Sequence, residues 1–334
     1  MSNNKLFPTS AVGSYPQTSE LRKSRREFYE GKLNQNNYLK IVGEHTKRWV
    51  EFQRQIELDF PVSGEFLRGD MAEFFGLQLG GRLMDFVPSY ENRCYRPIEY
   101  HDYIYSLDKA MTVGDFTIAQ SWCPDHPIKH TITGPVTLAD WGMVSQPHYY
   151  RRPASFRKDL AIALKQEMKY LKKAGVKILQ IDEPAFSKEP DNLQMDLDSI
   201  QLMLDGLQKA FYLILHICYS DLETLDDVFP HLLSLPFHQI HMEMANRNYV
   251  PLALIQKYGL GNKDLGLGVI DVHTNRIETV DEVVAGVTNV RQYLPAERIH
   301  LLPDCGLKER SEEVAKAKMQ VLVEAARICR EKLA

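Results

Sequence analysis

The sequence has no apolar run approaching the roughly 18 residues that would cross a membrane, and its start, Met1 to Pro8, is short and polar. Neither a membrane span nor a secretory leader is therefore expected, and the chain reads as cytoplasmic. A basic surplus is missing too. Lys and Arg number 40 against 44 Asp and Glu, for a net charge of -4, with the two signs intermixed. Binding nucleic acid calls for clustered cations that neutralise phosphates, so nucleic acid is excluded as the main partner. Cysteine is scarce. Cys94, Cys123, Cys218, Cys305 and Cys329 are scattered and odd in number, which argues against a disulfide framework. Low-complexity tracts, repeats and a convincing interdomain linker are also absent. What remains is an ordinary globular composition, 44% hydrophobic and 25% charged over 334 residues, with length enough for a large core. A single domain spanning 1–334 is expected.

From about residue 127 the chain alternates short β-branched runs with longer helical patterns. Strands are expected over Ile128–Gly134, Val176–Asp182, Tyr212–Cys218, Phe237–Glu243, Leu265–Val272 and Arg298–Pro303. Helical periodicity follows each in turn, near Ala154–Ala174, Leu197–Ala210, Leu222–Leu233, Val250–Tyr258, Val280–Tyr293 and Ser311–Lys332. Strands separated by helices imply parallel pairing and right-handed crossovers. Upstream, Ser10–Ser14 and Leu58–Glu65 read as two more strands on either side of a charged helix, Asn36–Ile56. Two strands and six predict a single (β/α)8 TIM barrel, with an open doubly wound sheet as the alternative. The stretch from about Gly76 to Trp122, rich in β-formers and aromatics, is expected to leave the barrel as an extended excursion.

The reactive residues fall at strand ends. His216 and Cys218 end one predicted strand, Glu243 the next, and Cys305 follows the last, while Glu65, Asp182, Asp271 and His273 end others. In a parallel barrel all these ends open on one face, so residues far apart in sequence converge. His216 and Cys218 lie two apart, and on a strand they share a side. A lone H-x-C is more often accidental than a metal site. With Cys305 and Glu243 it would complete a tetrahedral set of two sulfurs, an imidazole and a carboxylate, which suits zinc. Three negative ligands make the dication a poor electrophile for activating water. They leave a bound thiolate comparatively nucleophilic, so the set favours sulfur alkylation over hydrolysis. Asp182, before Glu183-Pro184, fits either a helix cap or an ammonium anchor. His273 fits a core histidine, a cap or a proton donor, and Trp141 fits packing or a flat face for a ring.

Together, Ala11-Val12-Gly13-Ser14-Tyr15-Pro16-Gln17-Thr18, Gly64-Glu65 with Asp70-Met71, Thr133-Gly134-Pro135-Val136-Thr137, Gln180-Ile181-Asp182-Glu183-Pro184, His216-Ile217-Cys218-Tyr219 and Pro303-Asp304-Cys305-Gly306-Leu307-Lys308 form an ordered set. The set resembles the catalytic, C-terminal barrel of cobalamin-independent methionine synthase. The resemblance implies a zinc-dependent methyltransferase that converts homocysteine to methionine. It implies zinc held by His216, Cys218, Glu243 and Cys305, and homocysteine bound along Val12, Gly13 and Ser14 with Glu65 and Asp182 on its ammonium group. His273 is implied as the proton donor, and Arg93, Cys94 and Trp141 as lining the methyl-donor site. Around the glutamate this chain has Met242-Glu243-Met244 where the long enzymes usually have Ile-Glu-Thr. Full-length members carry a second, N-terminal barrel that helps form the folate site, and a short single-barrel form is expected here. The donor therefore stays open between methyltetrahydrofolate and methylcobalamin or a corrinoid protein, with a slight lean to the corrinoid. The competing readings are zinc-dependent alkyl transfer to another small thiol and a non-catalytic zinc-binding barrel.

Overall fold

The computed structural model describes residues 5–333 apart from positions 86, 89–93, 106, 187–191 and 219–221. Its centre is a six-stranded parallel sheet: β1 Lys129–Thr133, β2 Ile178–Asp182, β3 Tyr212–Ile217, β4 Gln239–Met242, β5 Asp264–Ile270 and β6 Ile299–Pro303. The strands pair in chain order from β1 to β6, with no reversal. A doubly wound sheet would reverse at a switch point, so that alternative is excluded. Every residue of β1, β2 and β4 is buried, which requires cover on both faces of the sheet. Helices Pro153–Ala174, Leu193–Leu204, Leu222–Ser234, Leu252–Tyr258, Val280–Arg291 and Glu312–Lys332 alternate with the strands. Each turns an apolar stripe inward, as Leu160, Leu164, Met168 and Leu171 do on the first. Local signals set the helix limits. Gly175 stops the first helix in the left-handed region, and a Thr279–Glu282 capping box starts Val280–Arg291.

The barrel architecture holds, but the two expected N-terminal strands are reduced to isolated bridges. The two N-terminal segments touch the sheet through single parallel bridges: Thr9 to Leu301 in β6, Ser10 to Phe60, Ser14 to Gly64, and Val62 to Lys129 in β1. The sheet of continuous strands is therefore not closed, and irregular chain lies between its edges. The physical reason is local. Pro8, Pro16 and Pro61 cannot donate to a ladder, and Gly64 and Glu65 have positive φ. These segments hold the barrel position without strand regularity.

The excursion is built from short pairings. Arg82–Leu83 runs antiparallel to Ile98–Tyr100, Gly142–Val144 joins parallel to the latter, and Val87–Pro88 pairs with Cys94–Tyr95. Helix Val113–Trp122, inside the stretch predicted to be extended, returns the chain to β1. No helix among the described residues is long and apolar enough to cross a membrane.

Candidate metal centre

Register brings the site together. Asp182 at the end of β2 stands opposite His216 in β3, and Ile217 stands opposite Met242 in β4. One residue further on come Cys218 and Glu243. Ile270 in β5 faces Pro303 in β6, which sets Cys305 two residues beyond the sheet. At this mouth the ligand atoms of His216, Cys218 and Cys305 all lie within 4.8 Å of one another. Cys305 Sγ is 3.7 Å from His216 Nε2. Zinc bonds of about 2.0–2.3 Å in a tetrahedron put neighbouring ligands at roughly 3.6 Å, so this spacing suits one shared ion.

The electrostatics fit a cation as well. Burial and the charge of Lys129 push His216 down to about 3, which keeps its imidazole neutral and able to coordinate. Its ring stacks on His241 at 4.5 Å, and His241 donates through Nε2 to the Pro303 carbonyl at 3.0 Å, so the ring plane is held. Cys218 is buried, and burial, Cys305, Glu243 and Asp182 all push its thiol up. A buried thiol beside a partly buried one, among carboxylates, is an unfavourable place for thiolate unless a dication balances the charge, and coordination to one deprotonates thiols outright.

The three-residue cluster does not include Glu243. Its carboxylate is buried and lies 3.6 Å from the Arg247 guanidinium, yet it is near enough for its charge to raise Cys218. Asp304, which the sequence reading passed over, sets the geometry between Glu243 and Cys305. Its carboxylate accepts from the backbone N–H of Met244 at 2.8 Å, Ala245 at 3.1 Å and Asn246 at 2.7 Å. One side chain thereby ties the loop after β4 to the loop after β6.

Beside the metal cluster stand two carboxylates. Asp182 is buried, and burial with the charge of Glu65 pushes it up to about 7. Glu65 accepts from Thr131 Oγ1 at 2.7 Å and lies 3.5 Å from Arg68. It sits at φ 60, a left-handed conformation uncommon for a side chain of this kind, so neighbouring structure must enforce it. Gly13 leaves room for the Glu65 carboxylate, because a Cβ there would meet Glu65 Oε1 at 2.1 Å. Ser14 accepts at its carbonyl from Leu307 N–H at 2.9 Å, which joins the Val12–Ser14 segment to the Cys305 loop. His273 Nδ1 lies 3.1 Å from Asp271 Oδ1 and 3.2 Å from Asn246 Nδ2, so the ring is oriented on the same rim.

Residues 7–328 match the family model described as the catalytic domain of cobalamin-independent synthase. The chain belongs to this family. A methionine synthase of Saccharolobus solfataricus is 34% identical over 340 residues, covering 100% of this chain and 98% of its own. A 5-methyltetrahydropteroyltriglutamate–homocysteine methyltransferase of Thermotoga maritima is 33% identical over 344 residues, and this chain spans 45% of its length. Among solved structures, a B12-independent methionine synthase from Shewanella sp. W3-18-1, in complex with selenomethionine, superposes with a TM-score of 0.84 at 24% identity, covering 98% of this chain and 99% of that one. A putative B12-independent methionine synthase from Listeria monocytogenes gives 0.77 at 23%, covering 97% and 99%. At those identities the structural likeness carries the fold alone.

The remaining residues implied by the cobalamin-independent synthase resemblance are unevenly visible. Arg93 lies outside the described residues. Cys94 is seen as backbone, paired with Pro88. Trp141 ends the short helix Pro135–Asp140 after β1, partly buried against the core, just before the strand that docks the excursion. The cap reading weighed for Asp182 falls on its neighbour instead. Glu183 accepts from Val136 N–H at 3.0 Å and from Thr137 N–H and Oγ1 at 2.7 Å each. Gly134 makes room for it, since a Cβ there would meet Glu183 Oε1 at 2.0 Å. Glu183→Ala would strand these buried donors. The expected loss is about 3 kcal/mol in denaturant unfolding, with metal content unchanged because the three-residue cluster is untouched.

Proposed function

We propose that this chain methylates the sulfur of homocysteine to give methionine, with zinc held by His216, Cys218 and Cys305 and with Glu243 as the fourth ligand. One juxtaposition carries the reading: three soft ligand atoms within 4.8 Å of one another, with Asp182 close enough to bear on Cys218 and Glu65 close enough to bear on Asp182. A molecule that satisfies both halves has a thiol at one end and an ammonium at the other. A bound zinc would supply deprotonation of that thiol and, with three anionic ligands, leave it nucleophilic. Glu65 and Asp182 would take the ammonium group, and Val12, Gly13 and Ser14 would form the wall that aligns the chain between them. The reading takes residues 1–334 as one catalytic unit working in the cytoplasm.

The proposed donor is argued from His273. An amine such as N5 of a methylated pterin leaves poorly until protonated, so its displacement needs a general acid. His273, oriented by Asp271, is the candidate on the rim. This supports a methyltetrahydropteroyl donor, the kind printed in the names of the longer relatives. A methylcorrinoid needs no such proton and has no comparison in its favour. Arg93, Cys94 and Trp141 stay proposed as the donor-site residues.

Reduced, zinc-loaded protein given homocysteine and either methyltetrahydropteroyl triglutamate or methylcobalamin should yield methionine with the first donor. His273→Asn should slow that reaction about 100-fold or more and leave any methylcobalamin reaction unaffected. Equal slowing with both donors would remove the acid role. No methionine from either donor, with zinc bound and no sulfur added to its coordination by homocysteine, would favour the non-catalytic barrel. Methylation of simple thiols as fast as homocysteine would favour general alkyl transfer.

A further inference from the structure

A lysine lies buried beneath the acid pair, with no role assigned so far beyond its effect on His216. Lys129 opens β1, is 1% exposed, and donates through Nζ to Gln180 Oε1 at 2.7 Å. Gln180 Nε2 donates in turn to Asp182 Oδ1 at 2.6 Å. The three residues climb the inside of the barrel: Lys129 pairs in register with Ile178, and Gln180 and Asp182 point the same way two and four residues further up β2. On another side of Lys129 is a cavity of about 10 Å³, lined with Ser10, Phe60, Tyr212, Gln239 and others, none of them acidic. The opposite charges that act on the lysine are Asp182 and Glu65, both at the site. A buried ammonium is costly unless compensated, so its counter-charge comes from the residues proposed to bind substrate.

The amide between them gives the arrangement a direction. A glutamine side chain has one accepting end and one donating end. Lys129 donates to the oxygen of Gln180, which leaves the NH2 end for Asp182. A donor aimed at Asp182 favours its carboxylate form and fixes where the free oxygen points. Without Lys129 the amide could turn, present its oxygen to Asp182, and favour the protonated acid, which has no charge to offer an ammonium.

We infer that Lys129, acting through Gln180, is a positioning residue that holds Asp182 ready for an amine-bearing thiol and so sets which thiols the site selects. The inference rests on the homocysteine reading and names the device behind its amine selectivity. Its test compares L-homocysteine with 4-mercaptobutanoate, the same molecule without the amine, by calorimetric binding to zinc-loaded protein. Wild type should prefer homocysteine. Lys129→Met should cut that preference about tenfold or more, the scale of one lost charge-assisted hydrogen bond, with zinc content and 4-mercaptobutanoate affinity unchanged. Gln180→Met should do the same, and it decides the matter if Lys129→Met does not fold. An unchanged preference in the variants, or equal weakening of both thiols, would overturn the inference and leave Lys129 a packing residue. A wild type without preference would instead sink the homocysteine reading, and this inference with it.

Discussion

Cys305→Ser should yield a folded protein that has lost most of its zinc and its methyl transfer. Serine keeps the shape, but its hydroxyl does not ionise near neutral pH, and a neutral hydroxyl is a far weaker zinc ligand than the thiolate it replaces. Cys305 Sγ also closes the cluster from the far strand, 3.7 Å from His216 Nε2 and 89 residues away in sequence. Losing a hydrogen-bond partner behind a ligand already costs about 10–100-fold in metal affinity, so loss of the ligand itself should exceed that range. Zinc per chain by plasma mass spectrometry, with turnover in the same preparation, checks it. The fold should survive, because Cys305 is only partly buried and lies beyond the end of β6. A variant that keeps both zinc and turnover would refute the assignment of this thiol.

The second large effect is expected from Asp182→Asn. The substitution keeps the shape and the hydrogen bond from Gln180, and removes only charge. Breaking one partner of a buried ion pair costs roughly 3 kcal/mol or more, or about 100-fold. The low end applies here because Glu65 remains. The loss should appear in KM for homocysteine, leave zinc content unchanged, and spare 4-mercaptobutanoate, which has no amine to lose. An unaltered KM would remove Asp182 from the ammonium site and with it the aminothiol reading. Glu183→Ala serves as the contrast one residue away, with an effect on stability but none on zinc.

Much of the fold was legible in advance, because parallel strands and their helices are set by local periodicity. All six predicted β-α units from residue 127 onward are present, with ends shifted by a few residues. The two N-terminal staves were over-read as strands. Their alternating sequence is strand-like, but Pro8, Pro61, Gly64 and the positive φ of Glu65 reduce the pairing to single bridges. Helix Val113–Trp122 was missed because Gly114 and the aromatic, β-branched residues around it mask its periodicity.

The candidate site divides in the same way. His216 and Cys218 could be paired from spacing, since a strand repeats every two residues, and Cys305 could be added because the barrel gathers strand ends. The roles of Asp304 and Gln180 had no signal in sequence. Asp304 acts on backbone N–H groups contributed by another loop, and Gln180 acts between Lys129 on one strand and Asp182 on its own. A single Asp or Gln does not announce which distant donors it will meet.

By itself, the amino-acid sequence determined the order of strands and helices and the residue types at the barrel mouth, because both follow from short-range periodicity and from where the chain changes direction. Only the tertiary structure decided that Glu183 rather than Asp182 caps a neighbouring helix, that three ligand atoms share one small volume while Glu243 faces Arg247, and that a buried lysine underlies the acid pair. Those outcomes depend on distances of a few ångströms between strands many residues apart, and such distances are fixed by register and packing.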